Sequence, residues 1–384
     1  MTLISRRFTV SLAFPLALGM AALVASPLFA VNPPPALGTV PPKLVPATAP
    51  IFPGKEWQKA SPESQGVDPQ KLEAALQDVK SGCGSVGITQ VVVVRNGYVI
   101  WQGEDVNNKH LIWSCTKSFT STCLGLLWDD GKCSPATLAC QIFPELKKDY
   151  PTMTLEHLAT FTSGFNNEPG DLLKPGVPTY KPGAAFQYSR QTDLLAAILT
   201  RIAGESLESL FMRRIGNEIG LTKDQFEWKS DRQLNGVMLN GGAGFPESGV
   251  YCSAVGLARL GWLYTNGGNW NGKQLISRRY IEYACVPRVS AKVPPRDPKA
   301  FYVNLPGAYG LNWWVNGMTV KERLMWPNAP TSTFAAQGNE NNICFAIPDW
   351  QMTIVRGGGD RILTTNYDGM FRLIKEGLPV SVKK

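Results

Sequence analysis

The chain has 384 residues, 44% of them hydrophobic and 18% charged, with a formal net charge of +8 at pH 7. This is an ordinary globular composition, long enough for one large domain or two joined ones. The basic residues do not gather into clusters interleaved with aromatics, so nucleic acid is not an expected partner.

Arg6 and Arg7 precede an apolar run from Val10 to Leu28, and residues 1–30 contain no acid. This reads as a secretory signal cut near Ser26 or Ala30. Ser5-Arg6-Arg7-Phe8 matches a twin-arginine signal in part. A retained anchor is the alternative, since the run is about long enough to span a bilayer. The expectation is an exported protein, periplasmic or secreted, with no stable membrane span after cleavage. Export permits disulfides among the eight cysteines (83, 115, 123, 133, 140, 252, 285 and 344). Cys133 and Cys140 flank a turn and are the first candidate pair. No Cys-x-x-Cys occurs, which argues against a zinc ribbon or a thioredoxin-type site.

Residues 31–56 are rich in proline and read as an extended arm, leaving 57–384 as the folded domain. Asp68 caps a helix through about Val79, with Leu72, Ala75 and Leu76 on one face. Val91 to Val94, the turn Asn96-Gly97, and Tyr98 to Trp101 predict a β-hairpin. A helix runs from Ser114 to about Asp130. Between 134 and 249 helix signals dominate: Thr154 to Ala159, Gln191 to Ala203 ending at Gly204, and Leu207 to Ile215. A helix from Ser253 to Gly267 and another from Ile276 to Ala284 follow. Strand signals return at Tyr309 to Val315, Asn342 to Ile347 and Met352 to Val355, and Asp368 to Lys375 closes the chain. The predicted fold is an α/β sandwich. The N-terminal hairpin joins the C-terminal strands in one antiparallel sheet, the first and last helices pack on it, and a mostly helical subdomain is inserted.

Ser114 and Lys117 carry the chemistry. Positions i and i+3 share a helix face, so the Lys117 amine reaches the Ser114 oxygen. A serine in the first turn also lies by unpaired N–H groups and the positive end of the helix dipole, which suits an oxyanion. Ser-x-x-Lys alone occurs by chance about once in such a chain, and Ser381-Val382-Lys383-Lys384 is a second copy, without a helix after it. Histidine, the usual base, is present only as His110 and His157; His157 reads as a buried core residue. There is no Gly-x-Ser-x-Gly elbow. A lysine serves as base if burial or a nearby positive charge lowers its pKa. Tyr188, at a loop-to-helix junction, is the second candidate, as a phenolate or as a relay to Lys117, with Arg190 beside it. The third is Ala335-Ala336-Gln337-Gly338-Asn339, whose backbone supplies a second oxyanion donor to complement the Ser114 N–H. Trp113, Trp313 and Trp314 are candidates to line an apolar acyl pocket. Gly267-x4-Gly272-Lys273 lacks the hydroxyl residue of a phosphate loop, Gly357-Gly358-Gly359-Asp360 reads as a turn, and no metal or organic cofactor is implied.

These segments, in this order, resemble the serine β-lactamase-related family. They are Ser114-x-x-Lys117, Thr154-Leu155-Glu156-His157-Leu158 to Thr162-Ser163-Gly164, Tyr188-Ser189, Ser253-Ala254 to Gly267-Gly268, Tyr309-Gly310 with Trp313-Trp314, and Gly338 before Ile347-Pro348-Asp349. The family includes class C β-lactamases, penicillin-binding DD-peptidases, esterases and 6-aminohexanoate-oligomer hydrolases. The resemblance implies a site between the α/β sandwich and the helical subdomain. Two positions depart from the pattern. The family's Tyr-x-Asn is Tyr188-Ser189-Arg190 here. Its Lys/His-Ser/Thr-Gly is Ala336-Gln337-Gly338, without the base that helps hold a β-lactam carboxylate. The expectation is a serine acyl hydrolase for a small ester. An amidase, DD-peptidase-like or oligoamide hydrolase is the alternative, and a catalytically silent binding protein of the same fold is the second.

Overall fold

Six antiparallel strands form one sheet in the order β3-β4-β5-β6-β1-β2: β1 is Val91–Arg95, β2 Tyr98–Gln102, β3 Trp314–Val315, β4 Phe334–Gly338, β5 Asn342–Ile347 and β6 Met352–Arg356. The computed structural model describes residues 50–169, 171, 173–360 and 366–379. The predicted signal, most of the proline-rich arm and the Ser381 copy of the motif lie outside these residues. The N-terminal hairpin joins the C-terminal strands through β1 and β6, paired from Val91 with Arg356 to Arg95 with Met352.

Side chains alternate across each strand, and the two faces build two cores. Val91, Val93, Ile343, Phe345 and Ile354 face the first and last helices, α1 (Pro69–Ser81) and α5 (Asp368–Gly377). Asp68 caps α1, its Oδ1 accepting from the N–H groups of Gln70 at 2.8 Å and Lys71 at 3.2 Å. Leu72, Ala75, Leu76 and Val79 then meet Met370, Phe371 and Ile374 of α5. On the other face Val92, Val94, Cys344, Ala346 and Val355 pack with α2 (Thr116–Asp129), α3 (Gln191–Ala203) and α4 (Ala254–Thr265).

The segment between α2 and α4 holds α3 and the short helices Leu155–Ala159 and Leu207–Phe211. It also contains strands that its composition does not announce. Ser230–Leu234 pairs with Val237–Asn240, and Val250–Cys252 lies between His110–Leu111 and Phe226–Trp228 in a three-stranded sheet. His157 caps its own helix: its Nδ1 accepts from the Thr154 N–H at 3.1 Å, and Thr154 Oγ1 accepts from the His157 N–H at 3.2 Å. Burial lowers its pKa.

The expected Cys133–Cys140 bridge is absent; both are free thiols. Cys133 is buried in the core, whereas Cys140 turns to the Pro151 carbonyl at 3.7 Å. Gly357 to Asp360 make no phosphate site: the Asp360 carboxylate is buried against the Arg356 guanidinium and also accepts from the Val86 N–H. Among the described residues no helix is long and apolar enough to cross a membrane.

Candidate active site

Ser114 lies in a 3₁₀ turn, Trp113–Cys115, directly ahead of α2. Trp113 has φ of +48°, a conformation a bulky residue keeps only when its surroundings impose it. The loop after Asn240 packs closely on this turn. A Cβ on Gly244 would stand 2.0 Å from the Trp113 carbonyl oxygen, so only glycine lets that loop pack on the turn.

Lys117 falls in the first turn of α2 and is 3% exposed. Its Nζ is 2.8 Å from Ser114 Oγ and 2.7 Å from the Ala243 carbonyl oxygen. Burial brings its pKa down to about 7, the Asp193 carboxylate acting the other way and Arg190 adding to the fall. Asp193, in the first turn of α3, was not singled out from the sequence. Its Oδ1 accepts from the Gly242 and Ala243 N–H groups, each at 3.0 Å. The carboxylate thus fixes the loop whose carbonyl receives the lysine. The density of glycine in Gly241-Gly242-Ala243-Gly244 is the sequence signal for that loop.

Tyr188 is half-buried, its ring 4.4 Å from that of Phe161 and 5.9 Å from that of Trp314, centroid to centroid. Lys117 Nζ lies 5.0 Å from its ring centroid. Burial pushes the phenol far above its ordinary pKa, and a hydrogen bond with Ser114 works against that rise. The hydroxyl therefore stays protonated at neutral pH.

Gln337 and Gly338 end β4, and Asn339 begins the turn to β5. A Cβ on Gly338 would lie 2.3 Å from the Ile112 carbonyl oxygen and 2.9 Å from the Ser114 nitrogen. The strand edge closes on the Ser114 turn only because this residue has no side chain. Asn342 braces that corner. Its Nδ2 donates to the Asn339 carbonyl at 2.8 Å, and its Oδ1 accepts from the Gly358 N–H at 2.9 Å and from His110 Nε2 at 3.0 Å. Cys115, next to the serine, is wholly buried and donates to the Asn342 carbonyl at 3.5 Å. Burial raises its pKa, which leaves it an inert thiol.

A cavity of about 480 Å³ opens beside Ser114, lined by Tyr188, Trp314, Gln337, Gly338 and Asn339 among others. Three expected lining residues are not there. Trp313 and Trp314 point to opposite sides of the extended chain, so Trp313 is buried in the other core, 4.5 Å from the Tyr264 ring. Trp113, although next to Ser114, is not among the residues that line the cavity. Arg190 does not reach it: the guanidinium stacks 3.6 Å from the Phe245 ring centroid and its Nε donates to Asp193 at 3.1 Å. Among the described residues, no group of three or more His, Cys, Asp or Glu side chains is placed to hold a metal ion.

A sheet flanked by the terminal helices, with a serine and a lysine where a helical segment meets the sheet edge, is the β-lactamase/transpeptidase-like fold. The sequence matches the beta-lactamase family over residues 73–356, and the chain belongs to that family. It is 24% identical over 297 residues to the 6-aminohexanoate-dimer hydrolase of Paenarthrobacter ureafaciens, covering 67% of this chain and 72% of that protein. Among solved structures it is similar to a penicillin-binding protein homologue from Caulobacter crescentus (TM-score 0.61, 15% identity, 81% of this chain and 98% of the other). It is also similar to a family VIII carboxylesterase (TM-score 0.58, 17% identity, 80% and 96%). The protein is thus a serine hydrolase of the β-lactamase-related type, from a family of esterases, amidases and oligoamide hydrolases that act on small molecules.

Proposed function

We propose that the protein is an exported esterase, periplasmic or secreted, that works through an acyl-enzyme on Ser114. The observation that carries this reading is the 2.8 Å contact between Ser114 Oγ and a buried Lys117 whose pKa is about 7. About half of such a lysine is neutral at neutral pH, so it serves as the general base. Lys117 takes the Ser114 proton as the oxygen attacks the ester carbonyl. The oxyanion rests on the Ser114 N–H and on a backbone N–H between Gln337 and Asn339. The Tyr188 phenol, held protonated and bonded to Ser114, passes its proton to the leaving alcohol and recovers one from Lys117. Water, deprotonated by the same pair, then releases the acyl group. Trp314 supplies apolar surface to the bound substrate.

Amide hydrolysis is the second reading, favoured by the likeness to the 6-aminohexanoate-dimer hydrolase. β-Lactam hydrolysis is not favoured, because Arg190 is committed to Asp193 and Phe245, and β4 carries Ala336 and Gln337 where the family places a base and a hydroxyl residue. A panel of short-chain nitrophenyl esters set beside nitrocefin tests this order. Ester turnover well above nitrocefin turnover is expected; efficient nitrocefin hydrolysis overturns the reading of Ala336 and Gln337.

A further inference from the structure

The cavity is chemically lopsided along its depth. Its inner part holds the half-buried Ser114 and Tyr188 and buried apolar surface from Leu305, Trp314 and Trp326. Its exposed lining carries two bases, Lys321 and Arg323, beside the apolar Phe301, and no carboxylate lines it among the described residues. The volume of about 480 Å³ suits a small organic molecule.

The two bases stand on a fixed turn. Thr319 donates its N–H and its Oγ1 to the Arg323 carbonyl at 3.0 and 2.9 Å, and the Glu322 N–H donates back to the Thr319 carbonyl at 3.0 Å. Buried Asn316 pins the return segment, its Oδ1 accepting from the Trp326 N–H at 2.7 Å and its Nδ2 donating to the Trp326 carbonyl at 2.9 Å. Glu322, at the tip of the turn, is outside the lining. Among the described residues neither Lys321 nor Arg323 forms an ion pair. Two unneutralised cations on a braced turn, opening onto an aromatic cleft, favour an anion at the mouth.

We infer that the substrate is an amphipathic carboxylate: an ester or amide whose apolar body lies along Trp314 and Leu305 and whose carboxylate, remote from the scissile bond, is held by Lys321 and Arg323. This rests on the reading of Ser114 as the nucleophile. It differs from a β-lactam carboxylate site, because the charge lies at the exposed end of the cavity and not on β4 beside the serine.

Two matched pairs test it. The first is mono-4-nitrophenyl adipate against 4-nitrophenyl hexanoate, with the charge on the acyl chain. The second is 4-(hexanoyloxy)benzoate against its methyl ester, with the charge on the leaving group. In one pair the anion is preferred by about tenfold in kcat/KM, mainly through KM, as charge-assisted contacts in a partly open site provide. The preference shrinks as salt rises above about 0.15 M. In Lys321→Gln/Arg323→Gln the ratio falls to about one because KM for the anion rises, whereas Lys299→Gln, an exposed base outside the lining, keeps it. Equal or inverted ratios in both pairs, or a preference that survives the double substitution, overturn the inference while the esterase reading stands. If no ester is turned over, the esterase reading fails instead, and titration with hexanoate against hexanamide, followed by tryptophan fluorescence, decides the inference. Tighter binding of the anion sustains it and equal binding overturns it.

Discussion

Replacing Lys117 with methionine lowers kcat/KM for a neutral short-chain ester by about 10²- to 10⁴-fold, the contribution of a positioned general base. Wild-type kcat/KM rises with pH through an apparent pKa near 7, the value burial gives Lys117. In the variant that limb is gone. The substitution acts on stability with the opposite sign to its effect on activity, as linkage requires. The lysine titrates near 7 when folded, against 10.5 as an ordinary side chain. Between those values the unfolded chain binds the extra proton, so wild-type stability rises with pH across this window. Below pH 7 the folded protein carries the full cost of a buried ammonium. Methionine removes that cost, so the variant's stability relative to wild type is higher at pH 6 than at pH 10. Denaturant unfolding at the two pH values, beside the pH–rate profile, checks both halves. A pH-rate limb near 7 that persists in Lys117→Met assigns the base to another group.

Gly338→Ala carries the second large effect. Its methyl would meet the Ile112 carbonyl oxygen at 2.3 Å, the Ser114 nitrogen at 2.9 Å and the Cys115 nitrogen at 3.1 Å. All three are backbone atoms, so no side chain can swing aside and β4 must move off the Ser114 turn. An oxyanion donor displaced by a few tenths of an ångström loses its aim at the transition state, and kcat falls by about 10²- to 10³-fold with a smaller change in KM. A methyl on Gly54 would have nothing within 4 Å, so Gly54→Ala keeps wild-type kinetics. Steady-state kinetics on the two variants, with far-UV circular dichroism to show that both fold, separate a local effect at the oxyanion corner from general damage.

Much of the fold was legible where local chemistry and tertiary packing agree. Asp68 marks the start of α1, Asn96-Gly97 turns the hairpin, and Ser253 caps α4, its Oγ accepting from the Gly256 N–H at 3.2 Å. The Ser114–Lys117 contact was legible from i, i+3 spacing, although Ser114 sits in the 3₁₀ turn ahead of α2 and the Ala243 carbonyl also holds the lysine. Other parts depend on partners far along the chain. β4 reads Phe-Ala-Ala-Gln-Gly, without the β-branched run that marks β1, and is a strand because β5 pairs with it. Asp193 matters through a loop about fifty residues away in sequence. The outer wall of the cavity comes from irregular segments around Phe301 and Lys321, which have no periodicity to read. Trp313 and Trp314 look equivalent as neighbours, but alternation along an extended chain sends one to each core. Arg190 looked free to meet substrate because its stacking on Phe245 comes from a segment far along the chain, although its pairing with Asp193, three residues on, is a local spacing.

Labelling by a fluorophosphonate probe tests most directly whether Ser114 is the nucleophile, activated in place by Lys117 and Tyr188. Wild-type protein should label rapidly, with mass spectrometry placing the adduct on Ser114, and Ser114→Ala should not label. Absence of labelling in the wild type, or equal labelling of Ser114→Ala, contradicts the account.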